Sequence, residues 1–175
     1  MRNLILRPII DAEGKKMFID EIQEAFQKAY VEEFGEFQKT VLPTKDIEES
    51  FVAKGSEAYI AEIDGERVGG AIIVIDDKTG YNSLHLLYVK SSSQNRGNGF
   101  KIWKAIEELH PETKIWETHT PYFDKRNIHF YINRCGFKIV EFFNPKHKDP
   151  HQTDDAAGNI PLENNYFFRF EKEMN

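Results

Sequence analysis

A single cysteine, Cys135, stands in the 175 residues. That excludes an internal disulfide, and a lone thiol among apolar neighbours reads as a small core residue before it reads as a nucleophile. No apolar stretch approaches the ~20 residues that a membrane span requires. Met1-Arg2-Asn3-Leu4 leads into alternating residues without the apolar block of a secretory signal. The chain therefore reads as soluble and cytoplasmic, with no membrane partner. Basic charge is also in short supply. Lys and Arg number 23 against 29 Asp and Glu, a net charge of −6, whereas a nucleic-acid binder concentrates basic surface. Internal repeats, low-complexity tracts and linkers are absent, so residues 1–175 read as one domain.

What is present is core material. Hydrophobic residues make up 40% of the chain and aromatic residues 13%, with 14 Phe, far from the composition of a disordered chain. Residues 3–9 read as a strand ending near Pro8. Phe18, Ile22, Ala25, Phe26, Ala29 and Tyr30 recur at helical spacing and predict an amphipathic helix from Asp11 to about Phe34. A shorter helix is expected over Lys45–Lys54. Asp64-Gly65 separates the strands Ala58–Ile63 and Arg67–Ile75 as a hairpin turn, and Ser83–Lys90 follows as a third antiparallel strand. Next come a helix from Gly97 to Leu109, a strand Lys114–Thr118, a helix Asp124–Arg134 and strands Phe137–Phe143 and Tyr166–Phe170. Gly136 suits a left-handed helix end. The fold class is mixed α/β, with a largely antiparallel sheet flanked by helices.

Leu84–Gly99, LHLLYVKSSSQNRGNG, is a strand, a polar loop with two glycines, then a helix start. Unpaired N–H groups and the dipole at a helix N-terminus attract phosphate oxygens, and glycines let the backbone approach the anion closely. Gln94, Asn95, Arg96, Gly97, Asn98 and Gly99 thus form a candidate diphosphate cradle. No Lys-Ser or Lys-Thr pair follows, so this is not a P-loop, and no Gly-x-Gly-x-x-Gly occurs. Taken alone, a bare Gly-x-Gly reads first as a well-capped glycine-rich connection.

Gln94, Gly97 and Gly99 fill the pattern Gln/Arg-x-x-Gly-x-Gly/Ala, which resembles the acetyl-CoA motif of the GNAT superfamily of N-acetyltransferases. The preceding Leu87, Tyr88 and Val89 resemble that family's strand ending. Ser91 stands where many members have Pro. Downstream, Asn127–Phe137, NIHFYINRCGF, resembles the family's later helix, and Asn127 with Phe130 would complete the acetyl-CoA contacts. Asn127 and Tyr131, four apart, are expected on one helix face. Tyr131 lies five residues before Gly136, where the family Tyr lies four before its Gly. One extra residue rotates a helix by ~100° unless a bulge absorbs it.

The resemblance implies direct attack of an amine of a small molecule or protein on the acetyl-CoA thioester, without a metal. It also implies that Tyr131 protonates the departing thiolate. A general base must accept the ammonium proton. His85, expected to share a strand face with Leu87 and Val89, is one candidate; Glu117 and His119, at the end of the next strand, are others or would contact the substrate. Each is also an ordinary polar strand residue. Phe34 and Phe37 fall outside the helical stripe and are candidates for the acceptor pocket, whereas Phe26 and Tyr30 read as core.

His147, Asp149, His151, Asp154 and Asp155 in the loop 145–158 lack a closed metal-ligand pattern, so a solvated loop is expected, with residues 144–163 a candidate lid. Two further readings remain: a non-catalytic CoA-binding sensor of the same fold, and a binder of another diphosphate. The final aromatic strand could pair across a homodimer or complete its own sheet.

Overall fold

A computed structural model describes residues 3–150 and 166–175. Its strands are β1 (Leu4–Pro8), β2 (Ser56–Ile63), β3 (Glu66–Val74), β4 (Tyr81–Val89), β5 (Ile115–Pro121), β6 (Lys138–Phe143) and β7 (Phe167–Glu173). The helices are α1 (Ala12–Phe34), α2 (Thr44–Val52), α3 (Asn98–Leu109) and α4 (Lys125–His129), which runs on as a π-helical segment, Phe130–Arg134. A 3-10 turn at Ser91–Ser93 follows β4.

Local chemistry accounts for several boundaries. Asp11 caps α1 by accepting from the Gly14 N–H at 2.7 Å, and Gly35, at φ 86°, ends it. Asp64 and Gly65 both have positive φ, 53° and 81°, as the tight turn between β2 and β3 requires.

The seven strands form one sheet in the order β1-β2-β3-β4-β5-β7-β6. Among the described residues, only β4 and β5 run parallel; every other neighbouring pair is antiparallel. The final strand β7 completes this sheet by lying between β5 and β6. On one face, α3 and the π segment cover Trp103, Trp116, Phe137 and Phe170, all essentially inaccessible. On the other, α1 and α2 cover Ile60, Ile72 and Tyr88 with Phe18, Ile22 and Ile47. Each large apolar side chain so buried contributes about 1.5–3 kcal/mol.

Two irregularities of β4 shape the middle of the sheet. Ile72 pairs with Leu86 and Ile73 with Leu84, which leaves His85 as the extra residue of a β-bulge. Alternation slips by one there. Leu84, Leu87 and Val89 all pack toward α3, whereas Leu86 and Tyr88 pack toward α1 and α2. His85 lies on that second side, its Nδ1 3.3 Å from Ser50 Oγ of α2. The expectation that it shares a face with Leu87 and Val89 is therefore corrected by the bulge. The second irregularity is that β4 and β5 pair only from Tyr81↔Ile115 to Leu84↔Thr118. Beyond that point the strands part.

Candidate active site

Where β4 loses β5, its edge forms one wall of a groove of about 270 Å³. Leu87, Tyr88 and Val89 line this wall, and Gln94, Asn95, Gly97, Asn98 and Gly99 close one end. Asn127 and Phe130 face them from across the groove. Arg96 is not among the lining residues.

The loop is curled by two left-handed residues, Asn95 at φ 64° and Gly97 at φ 73°. Asn tolerates this conformation and glycine adopts it without cost. Gln94 Nε2 donates to the Val89 carbonyl at 3.3 Å, and Asn98 Nδ2 donates to the Ser93 carbonyl at 2.9 Å. These bonds stitch the loop to the strand that precedes it. Gly97 is the N-cap of α3 and offers no side-chain cap, so the first-turn N–H groups are open to an anion. A Cβ on Gly99 would stand 3.4 Å from the Phe130 ring and from Val89 Cγ2, so the backbone here forms the groove wall directly.

Several lining residues carry no motif in the sequence. Ala25, Phe26 and Ala29 of α1 form a second wall; Phe26, read as core, thus has an edge in the groove. Arg126 of α4 reaches over the loop, Nη1 donating to Gln94 Oε1 at 3.2 Å and Nη2 to Asn95 Oδ1 at 2.5 Å. Both acceptors are neutral, so the guanidinium adds positive charge beside the helix N-terminus. An isolated Arg on a short helix gives no signal of this in the sequence. Asp124 caps α4 by accepting from the Asn127 N–H at 3.1 Å. Burial raises its carboxyl above the ordinary range, against the lowering effect of that hydrogen bond and of Arg126. An uncapped helix start, a guanidinium and apolar walls suit a diphosphate joined to a longer, partly apolar arm, which is the character of coenzyme A.

The extra residue before Gly136 is absorbed by the π-helical segment. Cys135 N–H donates to the Phe130 carbonyl, five residues back, at 3.0 Å. The widened turn sends Phe130 to the groove and Tyr131 to the core, so Asn127 and Tyr131 do not share a groove-facing surface. Tyr131 is 4% exposed, its ring 5.6 Å from Phe137 and 5.8 Å from Phe170. Its ring lies near Thr118, the last β5 residue paired to β4, whose hydroxyl donates to the Leu84 carbonyl at 2.9 Å. Burial, then the nearby Cys135 and Asp124, push its pKa well above that of a free phenol.

On the α2 side of the parted strands lie His85, Glu117 and His119. Burial lowers the His85 pKa, with the nearby His119 acting in the same direction and Glu117 opposing. Burial likewise lowers the His119 pKa, opposed chiefly by Glu117 and Asp149. His119 stacks on Phe143 with ring centroids 6.0 Å apart and planes 17° apart. Arg169 of β7 ties the neighbourhood together, reaching Glu141 at 3.0 Å, Glu171 at 2.7 Å and Glu117 at 3.6 Å.

Phe34 and Phe37 do not line the groove. Their rings pack on Tyr30, each at 4.8 Å, and Phe34 also meets Phe123 at 5.5 Å. This aromatic cluster stands between the end of α1 and the exit of β5. Among the described residues, no three His, Cys, Asp or Glu side chains gather as a metal site, and no helix is long and apolar enough to cross a membrane. His151, Asp154, Asp155 and most of the candidate lid lie outside the described residues.

Comparison with known proteins agrees with this fold. Residues 19–137 match the model of the acetyltransferase (GNAT) family. The protein YrkN of Bacillus subtilis (strain 168) is 46% identical over 160 residues, which cover 90% of this chain and 86% of YrkN. A Bacillus subtilis acetyltransferase solved in complex with CoA superposes with a TM-score of 0.66 at 18% identity, covering 100% of both chains. A GNAT family acetyltransferase from Elizabethkingia anophelis with acetyl-CoA bound gives 0.68 at 15% identity, covering 98% of this chain and 99% of that one. The PaiA N-acetyltransferase from Thermoplasma acidophilum, in complex with coenzyme A, gives 0.64 at 16% identity, with 98% and 99% covered.

Proposed function

The chain belongs to the acetyltransferase (GNAT) family, and from that membership we propose that it transfers an acetyl group from acetyl-CoA to a primary amine of a small molecule or protein. The observation that carries this is the convergence of the unpaired β4 edge and the uncapped α3 N-terminus on one groove. Acetyl-CoA, when bound, supplies an activated acetyl thioester.

The chain's own groups then have definable tasks. The N–H groups at the start of α3, with Arg126, would hold the diphosphate. The edge of β4 at Leu87, Tyr88 and Val89 carries backbone groups that β5 does not pair, and these would bond an amide-bearing arm as a neighbouring strand would. Asn127 and Phe130 would close the opposite side.

Proton handling falls to the point where the strands part. Tyr131 is held protonated by burial and reaches the closed end of the split at Thr118. We assign it the proton that neutralises the departing thiolate. Desolvation lowers the pKa of His85 and of His119, which favours the neutral imidazole that can accept a proton from the amine. Phe34, 42% exposed, and Phe37, both packed on Tyr30, would form the apolar edge of the acceptor entrance.

A thiol-release assay with acetyl-CoA against polyamines, amino acids, aminoglycosides and peptides, run beside a CoA titration, tests the reading. Turnover with one amine class is the expected result. Tight CoA binding without turnover would leave a binding module in place of an enzyme. Absence of CoA binding would overturn the assignment of the Gln94–Gly99 cradle.

A further inference from the structure

Tyr88 belongs to the β4 wall of the groove, and its side chain also reaches α1. The ring crosses Gly70 of β3, where a Cβ would come within 2.9 Å of Tyr88 Cε1 and 3.0 Å of the Phe18 ring. The missing side chain leaves this lane open to the phenol. The ring packs edge-on against Phe18 with centroids 5.1 Å apart and is buried. Its hydroxyl donates to Glu21 Oε2 of α1 at 2.7 Å. The other oxygen, Oε1, accepts from Arg67 Nε at 3.0 Å and faces Lys90 Nζ at 3.7 Å. Three donors, from β3 and the end of β4, thus converge on one helix carboxylate that is itself 12% exposed.

The place of this clamp along α1 gives it a consequence for the groove. Glu21 stands four residues before Ala25 and eight before Ala29, on the same face of the helix. Ala25 and Ala29, with an edge of Phe26, form the second wall. Alanine side chains are too short to hold a facing strand at a set distance, so the spacing is fixed beyond them. At one end, Glu21 ties α1 to Tyr88 and Lys90, which flank Val89 of the opposite wall. At the other, Tyr30 packs on Phe123 at 5.1 Å, past the end of β5. Roughly 13 Å of helix runs between these two ties.

A buried ion pair adds little net stability, because desolvation offsets the Coulomb attraction, whereas its geometry can specify position. We infer that Glu21 is a positioning residue: by holding Tyr88, Arg67 and Lys90 it sets the distance between the α1 wall and the edge of β4, and with it the fit of the arm of coenzyme A. This rests on the reading above that coenzyme A occupies the groove. The cradle is held separately, by Gln94 bonded to the Val89 carbonyl and Asn98 bonded to the Ser93 carbonyl. Loosening the clamp therefore widens the path of the arm and leaves the diphosphate site in place.

The test compares coenzyme A, which needs both cradle and groove, with ADP, which carries a diphosphate and no such arm. Calorimetric titration of the full chain measures the first Kd, and NMR titration the second. Glu21→Ala removes all three contacts, and the Kd for coenzyme A is expected to rise roughly 10-fold while the Kd for ADP stays unchanged. Tyr88→Phe keeps the ring on Phe18 and removes only the hydroxyl donor. It should reproduce part of the rise, and it decides the matter if Glu21→Ala does not fold. In the double variant the rise should match that of Glu21→Ala alone, because both changes break one clamp. Wild-type affinity for coenzyme A in every folded variant, or an equal loss for coenzyme A and ADP, would overturn the inference and leave the transfer reading standing. A wild type that binds no coenzyme A would overturn that reading, and the inference with it.

Discussion

Phe130 and Tyr131 are adjacent in the chain and their rings part company. Phe130 stands 3.4 Å from where a Gly99 Cβ would be and forms a wall of the groove. Tyr131 lies in the core against Phe137 and Phe170. The Cys135 N–H to Phe130 carbonyl bond, which widens the helix at this point, separates them. The helix thus gives one residue to the groove and the next to the closed end of the strand split.

Tyr131→Phe removes the proton assigned to the thiolate and leaves the ring packing in place. We expect kcat to fall by roughly 10²-fold, the low end for a positioned acid, because a thiolate leaves readily. Acetyl-CoA titration should give an unchanged Kd. Full activity would remove Tyr131 from the mechanism.

Arg126→Ala tests the cation that bridges α4 and the loop. Hydrogen bonds to charged groups contribute about 1.5–3 kcal/mol, so CoA affinity should weaken by roughly 10- to 100-fold. The dependence of that affinity on salt should become shallower. Calorimetric titration at two ionic strengths measures both effects. An unchanged Kd and salt slope would place the diphosphate away from Arg126.

Asp124→Asn separates capping from charge. Asn caps a helix about as well as Asp, but it carries no charge to bury. Burial raises the folded-state pKa of Asp124, so the wild type is more stable with this group protonated, and that advantage is lost as pH rises through the folded value. The variant should therefore melt at higher temperature than the wild type at pH 7. The gap should close as pH falls below the unfolded carboxyl value. A constant gap at every pH would assign the effect to something other than ionisation.

Ser91→Pro addresses a buried hydroxyl that has no hydrogen-bond partner among the described residues. Ser91 opens the 3-10 turn, and Lys90 before it is extended at ψ 143°, the conformation a following proline favours. The first N–H of such a turn has no partner within it, so its loss is tolerated. Thermal or denaturant unfolding should show a gain of about 0.4–1 kcal/mol. Destabilisation would mean that the Ser91 hydroxyl or N–H makes a bond on which the loop depends.

Much of this protein could be read from its residues because the relevant physics is local. Asp64-Gly65 specified its hairpin turn, the helical stripe of Phe18, Ile22 and Ala25 specified the buried face of α1, and Gln94, Gly97 and Gly99 marked a candidate phosphate loop and pointed to the family. The extra residue before Gly136 was visible as a misfit, but not its resolution. Whether a helix rotates or widens depends on what its side chains meet, and here Phe137 and Phe170 receive Tyr131. The bulge at His85 was equally hidden, since it arises from register against Ile72 and Ile73, residues far away in the chain. Only the tertiary structure carried Arg126 to the loop and brought Asp149, from beyond β6, to His119. Periodicity reports which face of an element is apolar. The site is assembled from long-range register and strand order, which no local pattern encodes.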